Sequence, residues 1–169
     1  GDVYKRQGRE AFRLLFGEEA AESEYHRLKA RHESDEHVLL NLQARDVFVA
    51  RGATVDLYPQ PVTIRGLTFD PDLVVMFPGE DKPLYVECER IVPKQRRDTR
   101  WQHYASVTQD FYFVVPNTKV QSQILREITG WVIRTEHSVT VRICNLSELA
   151  AGGASLWIVE ERLVWGRWR

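Results

Sequence analysis

Asp70-Pro71-Asp72-Leu73-Val74-Val75-Met76-Phe77 runs into the turn Pro78-Gly79-Glu80-Asp81-Lys82-Pro83 and returns as Leu84-Tyr85-Val86-Glu87-Cys88-Glu89-Arg90. Leu73 to Phe77 is a continuous apolar run, as expected of a strand covered on both faces, and Leu84 to Glu89 reads as its hairpin partner. Side chains alternate along a strand, so Glu87 and Glu89 point one way and Cys88 points into the opposite layer. Pairing through the turn brings Asp72 towards Glu87 and Glu89 on one sheet face. Three carboxylates gathered there are costly unless a cation neutralises them. Oxygen ligands of this kind suit a hard ion, Mg2+ or Mn2+.

Working outward, the pattern before the hairpin is helical. Gly8 to Phe16 reads as a short helix ended by Gly17, and Ala20 to His32 as a charged helix with Tyr25 and Leu28 as apolar contacts. Ser34 or Asp35 caps a third helix, with acidic residues in its first turn and Gly52 beyond its end. Thr54 to Tyr58 alternates as a half-buried strand. After the hairpin, Pro93 to Gln109 reads as a helix, Phe111 to Val115 as a buried strand and Lys119 to Arg134 as an amphipathic helix. Val139 to Cys144 and Leu156 to Val159 are further strand candidates. The expected fold class is α/β, a mixed α+β sheet flanked by helices.

The chain has 169 residues, 43% hydrophobic and 28% charged, with a formal net charge of -1. That fits one globular domain and gives no global pull toward nucleic acid, so any such pull is local. Cys88 and Cys144 sit in apolar runs and read as core residues in a reducing compartment rather than a disulfide. No apolar run is long enough to span a bilayer, and there is no signal-peptide pattern, so a cytoplasmic location is the expectation. Gly1 to Gln7 resembles the in-frame translation of a transposase-type sequencing adapter. We expect a metagenomic reading frame cut at its 5′ end, with residues 1–7 carrying no biology. The expected organisation is an N-terminal helical segment over 8–33 and one domain over 34–169 with an aromatic-basic tail.

Pro71-Asp72 on one strand and Glu87-Cys88-Glu89 on the next, in this element order, resemble the PD-(D/E)XK nuclease superfamily over about Glu36 to Asn117. The resemblance implies a restriction-endonuclease-like αβββαβ core and a Mg2+- or Mn2+-dependent endonuclease, cutting DNA alone or as part of a larger protein. It implies that Asp72 and Glu87 ligate the metal, that the Cys88 carbonyl completes the inner shell, and that Glu36 is a further ligand, direct or through water. Glu89 stands where the family usually has lysine. It is the expected general base. The missing cation is then expected from Lys94 first, from Arg90 or Arg96 next, and least from Lys82. The alternative is the same fold with an impaired site, binding nucleic acid or a protein.

Arg90, Lys94, Arg96, Arg97 and Arg100 make the one dense basic stretch. Beside the acidic strand it suits phosphate contact, so Arg90, Arg96, Arg97 and Arg100 are the expected DNA-binding residues; a solvated helix face is the competing reading. His103 reads as a surface or packing histidine before a site residue. His26, His32, His37 and His137 show no zinc spacing with the cysteines. Trp157, Trp165, Trp168, Arg162, Arg167 and Arg169 suit packing or docking before base stacking. Nucleic acid is the expected partner, with a homodimer or an upstream domain as further partners and no membrane contact. There is no Walker loop, no Gly-x-Gly-x-x-Gly and no Gly-x-Ser-x-Gly.

Overall fold

A computed structural model describes residues 18–32, 34–152 and 155–162, with residues 10, 11 and 14 besides. The helix expected over Gly8–Phe16 and the tail beyond Arg162 lie outside the described residues. Two helices lead, α1 (Glu18–Arg31) and α2 (Asp35–Val49). Ser34 caps α2: its hydroxyl accepts from the His37 amide at 3.1 Å. Tyr25 Oη donates to Asp35 Oδ1 at 2.5 Å, and Lys29 lies 3.2 Å from the same carboxylate, so the turn between the helices is clamped.

Strands β1 (Thr54–Asp56), β4 (Leu73–Met76) and β5 (Leu84–Cys88) follow, with a separate hairpin of β2 (Val62–Ile64) and β3 (Leu67–Phe69) inserted between β1 and β4. The chain continues through α3 (Asp98–Val107), β6 (Asp110–Val115), α4 (Thr118–Thr135), β7 (Val139–Asn145), α5 (Leu146–Ala150) and β8 (Ile158–Arg162). Six strands form one mixed sheet in the order β1-β4-β5-β6-β7-β8. The β5-β6 and β6-β7 pairs are parallel and the others antiparallel. The expected α/β class, a mixed sheet with helices, is what is found.

The sheet divides the core into two layers, as a buried, largely parallel centre requires. On one face Tyr25, Leu28, Val38, Leu42 and Phe48 from α1 and α2 cover Leu73, Val75, Val86, Cys88 and Cys144. Since α1 contributes to this layer, a boundary at residue 33 does not separate two cores. Both cysteines are buried and unbridged. On the other face Trp101, Tyr104, Ile124, Ile128 and Trp131 from α3 and α4 cover Phe111, Phe113, Val141 and Ile143. Tyr104 fixes α3 in place. Its ring stacks between Phe69 at 4.3 Å and Phe111 at 4.1 Å. Its hydroxyl accepts from the Tyr112 amide at 2.8 Å and donates to the Tyr85 carbonyl.

Two expectations need correcting. The helix after β5 begins at Asp98 rather than Pro93, because residues 93–97 offer no apolar positions to bury and Lys94, Gln95 and Arg96 are exposed. The β2–β3 hairpin was not anticipated. Its two-residue loop has positive φ at both Arg65 (52°) and Gly66 (79°), the backbone that matches strand twist in tight hairpins.

Candidate functional site

Leu73 pairs with Val86 in the β4-β5 ladder, which sets Asp72 beside Glu87 at the end of the pair. The Asp72 amide donates to Glu87 Oε1 at 3.3 Å, and the Cys88 amide donates to Asp72 Oδ2 at 2.8 Å. Glu89 extends the strand, its amide bonded to the Val114 carbonyl at 2.9 Å. All three acids are buried, at 8%, 1% and 5% exposure for Asp72, Glu87 and Glu89. They line a cleft of about 720 Å3 together with Arg31, His32, His37, Arg90, Arg97 and Arg100. Asp72, Glu87, Cys88 and Glu89 are therefore brought together in space.

Positive charge reaches them from α3 and the residue before it. Arg100 pairs with Glu87 and lies 3.1 Å from Glu89. Arg97 donates to both Glu89 oxygens at 3.1 Å and to Glu127 Oε2 at 2.8 Å. Trp101 Nε1 donates to Glu127 Oε1 at 3.1 Å, which holds that carboxylate in place. Arg97 and Arg100 were expected on a phosphate-binding face; instead the buried carboxylates engage them. Lys94, the first candidate for the missing cation, lines a separate groove with Arg96, Gln123 and Arg126, because residues 93–97 loop away before α3 starts. Arg90 lines the acidic cleft and has no acidic partner among the described residues.

Two histidines that sequence spacing passed over complete the site. His37, in the first turn of α2, places Nε2 3.2 Å from Asp72 Oδ2. His32, at the end of α1, has Nδ1 3.9 Å from Asp72 Oδ1, and its ring lies 4.4 Å from that of His37. Arg31 ties the same region to the approach of β4, donating to the Pro59 carbonyl at 3.2 Å and the Pro71 carbonyl at 3.1 Å. Glu36, the expected acidic ligand, is exposed and does not line the cleft. The helix turns its neighbour His37 inward instead. His103 Nδ1 donates to the Thr68 carbonyl at 2.7 Å, and the residue sits on the cleft wall.

The electrostatics follow from burial. Glu87 is pushed up to about 8, by burial first and then by the charge of Asp72, with Arg100 opposing. Burial acts in the same sense on Asp72, but the hydrogen bond and charge of His37 outweigh it and hold the carboxyl below its ordinary range. His37 is raised, because Asp72 more than offsets the effect of burial. His32 is lowered to about 4, chiefly by burial, and is neutral at pH 7. In the linked set, Asp72, Glu87, Glu89 and Glu127 face two guanidiniums, Arg97 and Arg100. Carboxylates with imidazoles are suitable donors for a divalent cation. His32, His37 and Asp72 offer ligand atoms within 4.8 Å of one another.

Comparison with protein-family models, with curated proteins and with solved structures found no match. No described helix is long and apolar enough to cross a membrane.

Proposed function

We propose that this domain is a metal-dependent phosphodiesterase of PD-(D/E)XK type that hydrolyses nucleic acid, DNA before RNA. The observation that carries this reading is the convergence of the buried Asp72, Glu87 and Glu89 at the ends of adjacent strands in one cleft. A helix, three antiparallel strands, a helix and a parallel strand in the order α2-β1-β4-β5-α3-β6 support the same resemblance.

In this reading Asp72, Glu87 and the Cys88 carbonyl hold a Mg2+ or Mn2+ ion, with His37 in the role first expected of Glu36. The ion would lower the pKa of a bound water and stabilise charge on the scissile phosphate. The protein's own groups do the rest. His37 orients Asp72 and keeps it ionised. Arg97 fixes the Glu89 carboxylate, which in this reading would take a proton from the attacking water. Arg100, with a side chain 37% exposed, supplies the cation that lysine gives elsewhere, and Arg90 is available to a phosphate of the backbone.

A second reading has its own support. Arg97 and Arg100 already engage Glu89 and Glu87, and Lys94 and Arg96 lie on another groove, an arrangement that suits an impaired site retained for binding nucleic acid or protein. Incubation of plasmid and single-stranded DNA with Mg2+ or Mn2+ separates the two. Cleavage by wild type and not by Glu87→Ala supports the enzyme. Cleavage by both marks a contaminant. Tight DNA binding with no cleavage supports the binding module.

A further inference from the structure

We propose that His32, His37 and Asp72 form a seat for one transition-metal ion in the wall of the cleft. The seat shares Asp72 and His37 with the site of the phosphodiesterase reading and differs from it in taking the His32 imidazole in place of Glu87 and the Cys88 carbonyl. It does not rest on that reading.

Three observations carry it. The three ligand atoms already lie within 4.8 Å of one another, and His37 Nε2 is 3.2 Å from Asp72 Oδ2. An ion bonded at about 2.1 Å to each donor in tetrahedral geometry holds such atoms about 3.4 Å apart. The His37–Asp72 edge therefore has the right length, and only His32 must close in. Second, His32 is 6% exposed, yet its Nε2 has no hydrogen-bond partner among the described residues and its Nδ1 stands 3.9 Å from Asp72, beyond hydrogen-bond range. A buried imidazole with such poor polar contacts is costly unless something binds it. Third, Glu87 and Glu89 have guanidinium partners within ion-pair distance, whereas among the described residues Asp72 has ion-pair contacts with the two imidazoles alone and accepts from the Cys88 amide.

The residues leading to the seat are built to hold it open. Ser34 caps α2 and so fixes His37, while Tyr25 and Lys29 on Asp35 set the turn that carries His32. All three donors line the cleft, so a fourth position is open to water or a phosphate oxygen, as in catalytic rather than structural metal sites. Two imidazoles and one carboxylate select Zn2+, Co2+ or Mn2+ over Mg2+, which prefers oxygen ligands and sheds its water reluctantly.

Titrating the chelator-treated full chain with Co2+, read by its visible absorption and by calorimetry, tests this without reference to activity. One equivalent should bind, with excess Mg2+ a poor competitor. His32→Ala and His37→Ala should each weaken Co2+ at least about ten-fold, and Glu87→Gln less than about three-fold. Zn2+ added to wild type should shift the ring-nitrogen NMR signals of two of the five histidines, a readout that needs no variant. Absence of Co2+ binding by wild type, or no histidine shift with Zn2+, overturns the proposal. So does a loss in Glu87→Gln equal to that in the histidine variants, which moves the ion to the carboxylate face. DNA cleavage that fails while Co2+ binds removes the phosphodiesterase reading and leaves the seat standing.

Discussion

The guanidinium of Arg100 rests against the carboxylate of Glu87, a residue only 1% exposed, and reaches Glu89 from the same position. An arginine at the partly open wall of the cleft thus engages the most deeply buried of the three acids. Because Arg100 comes from α3, whose placement is set by Tyr104 and Trp101, packing on one sheet face controls charge at the strand ends.

Arg100→Ala should destabilise the metal-free chain. Removing one partner of a buried pair costs about 3–5 kcal/mol, but Arg100 is partly solvated, so about 1–2 kcal/mol is expected here. Urea unfolding in chelator measures it. Saturating Mn2+ should recover most of the loss, since a cation then replaces the missing charge. A loss that Mn2+ leaves untouched would argue for simple packing by the arginine stem.

Stability of the metal-free protein should fall as pH rises from 6.5 to 8. Glu87, at about 8 in the fold against 4.5 unfolded, keeps a proton in that window that the unfolded chain has released. Stability linked to it is complete below 4.5 and is lost as pH climbs through 8. His37, raised above 6.5, acts in the same direction. His32, lowered to about 4, acts oppositely but only between 4 and 6.5, where stability rises with pH. Each proton contributes at most about 1.4 kcal/mol per pH unit. Denaturation midpoints across pH 6.5–8 should flatten in Glu87→Gln. An unchanged slope in that variant counts against a protonated Glu87.

His37→Gln and Glu36→Gln should part company. His37 touches Asp72 at 3.2 Å, and Glu36 is exposed outside the cleft. The first variant should weaken Mn2+ at least about ten-fold, whereas the second should leave it within about two-fold. Calorimetric titration reads both. A comparable loss from Glu36→Gln would restore the acidic ligand that the family resemblance implied.

Tyr104→Phe should cost about 1–3 kcal/mol, because the Tyr112 amide loses the acceptor it has at 2.8 Å. The aromatic stack with Phe69 and Phe111 stays, so the fold should survive. Thermal unfolding with the near-ultraviolet circular dichroism of the native state checks both parts.

Asp72, Glu87 and Glu89 were legible because a hairpin and strand alternation are local rules: one turn and a two-residue period put all three on one cleft. The mixed sheet was legible for the same reason, from apolar runs alternating with helical spacing. His32 and His37 were not. Their role depends on the clamp between α1 and α2 and on an aspartate 35 residues beyond His37, and no spacing motif encodes that meeting. Arg97 and Arg100 were seen as cations but assigned to phosphate, since only the tertiary structure reveals that α3 starts at Asp98 and turns them onto Glu89 and Glu87. Lys94 was overvalued for the converse reason: nearness in sequence to the acidic strand did not survive the loop at 93–97. Trp157, read within an aromatic-basic tail, packs on Phe48 at 5.5 Å and Tyr112 at 5.1 Å.

The most direct test of the central claim is the initial rate of plasmid nicking against Mn2+ concentration, for wild type and Asp72→Asn side by side. Nicking by wild type that is saturable in Mn2+ and abolished by chelator is predicted, with Asp72→Asn slower by at least about a hundred-fold. Equal rates for the two proteins, or no nicking by folded wild type at any Mn2+ concentration, would contradict it.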